Sequence, residues 1–254
     1  MQTKKSLGQN FLTDKNKVKE IIKAIPNLST TTIFEVGPGK GALTFSLLKE
    51  AKKVIALELD ENLVSFLKKE ITNSNFILLQ GDILTFDLLT LKDKKLLFIS
   101  NLPYYISTKI IFKIVLDPRF EYVNIMLQKE LVDRILAKPK SRAYGRLSVA
   151  INSLFEFETK INVPAECFSP KPKVDSGFII LKRKPIDFEI EPYLNFIKDC
   201  FANKRKKLLN SLKNSNSSYQ NAVQNYLIEN NLNLNLRAEE ISITDFLKMW
   251  KEIN

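Results

Sequence analysis

Three of the chain's seven glycines sit almost side by side, as Gly37, Gly39 and Gly41 in the segment Phe34-Glu35-Val36-Gly37-Pro38-Gly39-Lys40-Gly41. Glycines so placed let a backbone turn sharply and approach a ligand closely, and a helix opening behind them offers free N–H groups. The spacing is neither the full dinucleotide pattern nor a phosphate-binding P-loop, so alone it is satisfied by a tight strand–helix turn. Two acids sharpen it. Glu58 ends the apolar run Lys53-Val54-Ile55-Ala56-Leu57, and Asp82 follows the next run, in Gln80-Gly81-Asp82-Ile83. An acid at the second strand end of an open α/β sheet suits ribose hydroxyls. Asp82 would then lie near an adenine amine, with the glycine turn beside the rest of a nucleoside-like ligand. A further apolar run ends in Ser100-Asn101-Leu102-Pro103-Tyr104-Tyr105. Asn101 supplies an amide acceptor, Pro103 holds neighbouring carbonyls in place, and Tyr104 offers a flat face for a base. Such a pocket accepts hydrogen bonds from a planar amine and stacks the ring that bears it. Core packing is the expectation for Tyr105.

These groups need a frame that brings strand ends together. Apolar spacing predicts a helix over 14–25, with Asp14 as its N-cap. Strands follow at 32–36, 53–59, 76–79, 95–100 and 122–127, alternating with helices at 42–51, 61–71, 107–116 and 129–137. Continuous apolar strands in this rhythm argue for a parallel sheet covered on both faces. After Arg146 the rhythm changes. Residues 149–157, 159–163 and 174–181 read as strands, giving the sheet an antiparallel edge, and 182–192 reads as a linker. Helices at 193–201, 204–212, 219–229 and 244–253 then make a small all-α domain. The expected division is residues 1–186 as the catalytic domain and 187–254 as the helical one.

Composition narrows the chemistry. There is no histidine among 254 residues, which excludes a Ser-His-Asp hydrolase, a Cys-His protease, His-ligated metal sites and a His proton relay. Cys167 and Cys200 lack metal-ligand spacing and read as ordinary reduced thiols. The first ten residues are polar and basic, and no apolar stretch is long enough to span a bilayer, so a soluble cytoplasmic protein is expected. Thirty-nine Lys+Arg against 28 Asp+Glu give a net charge of +11, which suits a polyanionic partner. Coding bias could supply much of that total, so only the placement of charge counts.

Taken in order, Ser6-Leu7-Gly8-Gln9-Asn10-Phe11-Leu12, the glycine turn, Ile55-Ala56-Leu57-Glu58-Leu59-Asp60, Gln80-Gly81-Asp82 and Asn101-Leu102-Pro103-Tyr104 resemble the S-adenosylmethionine-dependent RNA adenine N6-dimethyltransferases. Further segments are similar to its small-subunit (16S-type) ribosomal RNA branch. They are Leu127-Gln128-Lys129-Glu130, Ala143-Tyr144-Gly145-Arg146-Leu147-Ser148-Val149, Phe168-Ser169-Pro170, Pro172-Lys173-Val174-Asp175-Ser176 and Arg237-Ala238-Glu239-Glu240-Ile241-Ser242. The likeness runs from about residue 5 to 246. It implies a seven-stranded, Rossmann-like methyltransferase sheet followed by a helical C-terminal domain. It places Asn10, Leu12, Gly37, Gly39, Glu58, Asp82 and Asn101 against S-adenosylmethionine, and Asn101, Leu102, Pro103 and Tyr104 around the target adenine. Ser100 stands where the family commonly has glycine, which bears on the tightness of that loop.

The resemblance further implies dimethylation of two adjacent adenosines near the 3′ end of 16S ribosomal RNA, within the small (30S) subunit or its precursor. S-adenosylhomocysteine is the implied product, with no metal, no membrane and a monomeric state. The expected RNA contacts are Lys4 and Lys5, Arg142 and Arg146, and the run Lys204-Arg205-Lys206-Lys207. Three other readings compete. One is a resistance-type methyltransferase of large-subunit (23S) RNA. Another is a nucleic-acid-binding assembly or transcription factor on the same fold. The third is methylation of a protein glutamine or a DNA adenine, although Leu102 in place of a first proline suits the RNA branch.

Overall fold

The computed structural model describes residues 10–103, 105–203, 206–213 and 217–253. They cluster into two compact units, one drawn from Met1–Lys129 and Glu156–Arg183, the other from Glu130–Phe155 and Lys184–Asn254.

The first unit is built on a sheet. After the short β1 (Phe11–Leu12) and α1 (Lys15–Ala24), strands β2 (Thr32–Val36), β3 (Lys53–Glu58), β4 (Phe76–Gln80), β5 (Leu96–Asn101) and β6 (Phe120–Gln128) follow. They alternate with α2 (Thr44–Glu50), α3 (Glu61–Glu70) and α4 (Ser107–Leu116). Asp14 caps α1 as expected, its Oδ1 accepting from the N–H groups of Asn16 and Lys17 at 2.8 Å each. Beyond the second unit's first segment come β7 (Phe155–Val163), β8 (Phe168–Ser169) and β9 (Ser176–Arg183). The strand order is β4-β3-β2-β5-β6-β9-β7, seven strands in all. The first five run parallel and β9 is antiparallel to β6. This is the expected methyltransferase-type sheet. The central strands are buried on both faces, and the rings of Phe34, Phe86, Phe98 and Phe120 pack together on them. Strand order reverses between β2 and β5, which opens a crevice at the carboxyl ends of the strands.

The second unit holds α5 (Lys129–Ile135, its first residue belonging to the sheet unit), α6 (Arg146–Leu154), α7 (Ile190–Cys200), α8 (Leu208–Leu212), α9 (Ser217–Glu229) and α10 (Ile243–Ile253). Its core is aromatic: Tyr193, Phe196, Tyr219, Phe246 and Trp250 meet ring to ring. Tyrosine hydroxyls inside it are satisfied, Tyr144 donating to the Ile241 carbonyl at 2.9 Å and Tyr193 sharing a 2.6 Å bond with Ser153.

Three expectations are corrected. Residues 149–157 are not a strand: α6 takes 146–154, and a single strand, β7, absorbs 155–163. Leu147, Ala150, Ile151 and Leu154 are buried at i, i+3, i+4 and i+7, a helical stripe that β-branched Val149 and Ile151 disguise. The linker is shorter than 182–192, because β9 continues to Arg183 and α7 begins at Ile190. A division at 186/187 places Glu130–Phe155 with the sheet, whereas α6 packs on α7 and α10 within the helical unit. Both cysteines are buried and free.

Candidate active site

Register brings the expected residues together. Val36 lies opposite Leu57 on β3 and Ser100 on β5, so the ends of three parallel strands are level. Backbone bonds carry the ladder one step further, from Gly37 N–H to the Leu57 carbonyl and from Gly81 N–H to the Glu58 carbonyl, both at 2.9 Å. Gly37, Glu58, Asp82 and Asn101 therefore surround one cavity, together with Asn10, Leu12, Gly39, Leu102 and Pro103.

Within the turn, Gly39 has φ +60°, and a Cβ there would come within 3.0 Å of the Phe11 ring. That backbone region and that contact both select glycine. Gly37 also has positive φ, +68°, but a Cβ there would meet nothing within 4 Å. The bare backbone at Gly37 thus borders open cavity. Lys40 places its ammonium 4.9 Å from the centre of the same Phe11 ring.

Glu58 is 5% exposed and held by three backbone N–H groups. Its Oε1 accepts from Leu59 at 2.8 Å and Asp60 at 2.9 Å, and its Oε2 accepts from Gly39 at 3.1 Å. Burial raises its pKa and these bonds oppose the rise. Oε2 keeps a second lone pair, the acceptor that a ribose hydroxyl requires. Asp82 is half-buried, with Oδ1 accepting from the Leu84 N–H at 2.9 Å.

Asn101 donates its Nδ2 to the carbonyl of Asn10 at 3.0 Å. That bond settles the amide orientation and leaves Oδ1 as the acceptor. Asn10 is itself placed by β1, which pairs antiparallel with β8, Leu12 opposite Phe168. Thr13 strengthens the pairing with two bonds to the Cys167 carbonyl, from N–H at 2.8 Å and from Oγ1 at 3.1 Å. Pro103 turns its carbonyl inward on the loop, where it accepts from the Ser107 hydroxyl at 2.8 Å and the Ile106 N–H at 3.3 Å. The Leu102 carbonyl accepts from no described residue. Ser100, the departure from glycine, is buried and donates its hydroxyl to the Val36 carbonyl, joining β5 to β2.

Tyr105 departs from expectation: it is 63% exposed and lines the cavity instead of packing in the core. Its loop leaves β5 and enters α4 within a few residues, too briefly to bury a ring. Glu35 lines the same cavity and was not singled out by the sequence reading. It is 2% exposed, and burial drives its pKa up to about 8. A bond from the Thr44 hydroxyl at 2.8 Å opposes that rise, and the neighbouring Glu58 charge adds to it. The available signal is one carboxylate inside the apolar strand Thr32-Ile33-Phe34-Glu35-Val36.

Of the expected RNA contacts, Arg142, Lys206 and Lys207 are exposed and Arg146 is half-buried. Lys206 and Lys207 precede α8 instead of lying on a helix face, and Lys207 donates to Asn235 Oδ1 at 2.5 Å. Lys4, Lys5, Tyr104, Lys204 and Arg205 lie outside the described residues.

Comparison with known proteins agrees with this geometry. A solved dimethyladenosine transferase from Plasmodium falciparum superposes with a TM-score of 0.79 at 27% identity, over 95% of this chain and 96% of that one. A 23S rRNA methyltransferase, ErmE, shares the fold at a TM-score of 0.72 and 24% identity, over 96% of this chain and 99% of that one. The sheet alone therefore does not choose between ribosomal subunits. The ribosomal RNA small subunit methyltransferase A of Mycoplasma mobile is 40% identical over 99% of this chain and 98% of its own length. The model of the ribosomal RNA adenine dimethylase family matches residues 1–254, and the chain belongs to that family.

Proposed function

We propose that this chain dimethylates the N6 amines of two adjacent adenosines near the 3′ end of small-subunit (16S) ribosomal RNA, within the 30S subunit or its precursor. S-adenosylmethionine is the donor and S-adenosylhomocysteine the product. The observation that carries the reading is the Asn101 amide, whose nitrogen is turned to Asn10 and whose oxygen remains as the acceptor for an incoming amine. Its small-subunit assignment rests on the likeness to relatives of that name.

The residues suit the donor. Glu58 and Asp82 offer carboxylate acceptors at the ends of the two strands beside the side-chain-free turn at Gly37, and Asn10, Leu12 and Gly39 complete the wall. When bound, the donor supplies an electrophilic methyl group on a sulfonium sulfur. The chain's own task is alignment. Asn101 Oδ1 accepts one N–H of the adenine amine and the Leu102 carbonyl the other, since the Pro103 carbonyl is already engaged. Two acceptors so placed favour a pyramidal nitrogen with a free lone pair. The resemblance makes Tyr104 the ring on which the unstacked base rests, with Tyr105 at the mouth of the cavity. The methylated amine is acidic enough to release its proton to water, so no titrating histidine is needed. An activated methyl needs no Lewis acid, and the reading includes no metal. Lys4, Lys5, Arg142, Arg146, Lys204, Arg205, Lys206 and Lys207 supply charge for the RNA backbone. The chain acts as a monomer in the cytoplasm; among the described residues no helix is long and apolar enough to cross a membrane.

The test is incubation with labelled donor and immature small subunits, followed by mapping of modified nucleosides. The expected result is two adjacent N6,N6-dimethyladenosines in the small-subunit RNA. Label confined to large-subunit RNA or to protein would refute it.

A further inference from the structure

Helix α4 reaches both halves of the cavity. At its amino end the Ser107 hydroxyl donates to the Pro103 carbonyl at 2.8 Å, fastening the helix to the loop that carries Asn101. Ile106, its N-cap, and Ile110 then line the cavity. Lys113 lies seven residues after the first and three after the second, so the three share one face of the helix. Lys113 is half-buried, and its ammonium donates to the Leu84 carbonyl at 3.0 Å and the Phe86 carbonyl at 2.6 Å. Those carbonyls belong to the turn built on Asp82. Asp82 Oδ1 accepts from the Leu84 N–H at 2.9 Å, and the Asp82 carbonyl accepts from the N–H groups of Thr85 at 3.1 Å and Phe86 at 2.8 Å. Leu84 and Phe86 thus meet Asp82 through their N–H groups and Lys113 through their carbonyls.

Two comparisons give this tie its meaning. Glu58 is held by three N–H groups, whereas the Asp82 carboxylate has one, so its placement depends on the turn beneath it. Drawing an ammonium out of water also costs hydration that an apolar side chain of similar length would not lose. Packing alone does not require a lysine here; the amine adds a charged donor that fixes two carbonyls at once.

We propose that Lys113 is a positioning residue for donor binding: by holding the Leu84 and Phe86 carbonyls it fixes the turn from which Asp82 reaches the donor. Lys113 does not itself line the cavity. The inference rests on the reading of Asp82 as a donor contact and extends it to the helix behind that contact.

The experiment measures S-adenosylmethionine affinity by calorimetry on the full chain. The chains compared are wild type, Lys113→Met, Lys113→Arg, Asp82→Ala, Asp82→Ala/Lys113→Met and Lys53→Met. Lys113→Met is expected to weaken donor binding about tenfold, the worth of one charged hydrogen bond. Its kcat on immature small subunits at saturating donor should stay near wild type. Lys113→Arg can still donate to both carbonyls and should bind the donor as wild type does. The double variant should bind no more weakly than Asp82→Ala alone, because the lysine acts through that residue. Lys53→Met removes a 2.9 Å bond to Asp93 at the opposite end of β3 from Glu58, and should lose stability while keeping donor affinity. Thermal unfolding without donor reports the fold of each chain. Should the methionine variant not fold, Lys113→Gln takes its place in every comparison. A Lys113→Met chain that unfolds earlier yet binds the donor as wild type does would overturn the proposal. So would losses that add in the double variant, or a fall in kcat with donor affinity intact. Unchanged affinity in Asp82→Ala would fail the reading of Asp82 and take the proposal with it, a result distinct from the others.

Discussion

The two units use polar groups in opposite ways. In the sheet unit the polar side chains around the cavity are buried or half-buried and tied to the backbone, Glu58 by three N–H groups and Asn101 to Asn10, with buried Ser100 tied to Val36 beside them. In the helical unit the buried polar groups are largely tyrosine and serine hydroxyls that serve the core, while cations such as Arg142, Lys206 and Lys207 stand at the surface. The difference follows from the work proposed for each. Aligning a lone pair with a methyl group demands placement to a fraction of an ångström, which only pinned groups provide. Attracting a polyanion tolerates long, mobile side chains, because the Coulomb field falls off slowly over the distances involved.

Substitutions can break or sharpen that contrast. The largest effect is expected for Asn101→Ala, with turnover falling by about 10²–10³-fold, the range seen when one positioned hydrogen-bonding group is removed from a reacting centre. Donor affinity, measured by calorimetry, should stay near wild type. Equal losses in both would mean that Asn101 serves the fold and not the amine. Next comes Glu35. Its folded pKa of about 8 stands above the usual carboxyl value of 4.5, so the folded chain holds a proton that the unfolded chain has released. Its contribution is therefore fully present below pH 4.5 and is lost as pH rises through about 8. Glu35→Gln should flatten that decline, by on the order of 2 kcal/mol at pH 8 once water entry around the buried group is allowed for. Parallel denaturation curves for the two chains across this window would show that the carboxyl is solvated. The smallest effect is expected in the helical unit. Tyr144→Phe leaves the Ile241 carbonyl without its hydroxyl donor, costing about 1–2 kcal/mol in urea unfolding with donor affinity unchanged. A matching fall in donor affinity would erase the distinction between the units.

How much of this was legible beforehand follows the same division. Strand ends could be read because β-sheet periodicity and the glycine turn are local signals, and parallel register then makes their neighbours converge. Thus 32–36 and 107–116 coincide with β2 and α4. Asn101, Glu58 and Asp82 were visible as polar residues closing apolar runs. What was hidden depended on long-range contact. Nothing near Asn101 in sequence says that its amide will meet Asn10. Tyr105 looks like a core residue until the loop's short path leaves its ring in solvent. Helix α6 was read as a strand because Val149 and Ile151 carry strand preference, and packing against α7 and α10 overrides it. The meeting of Lys113 with the Leu84 and Phe86 carbonyls is equally invisible, since 29 and 27 residues of chain separate them.

The pairing of β1 with β8 has a consequence for when activity can arise during synthesis. Thr13 and Cys167, which the pairing joins, are 154 residues apart in the chain. A ribosome making this protein will have released β2 through β5, with glycine turn and carboxylates complete, long before residue 167 emerges. Until then the carbonyl of Asn10 has no strand to hold it and the Asn101 amide is free to rotate. The logarithmic growth of loop-closure entropy makes the late joining affordable. The cavity wall at Asn10 and Leu12 and the fixed Asn101 amide are thus completed together, when β8 has left the exit tunnel and paired with β1.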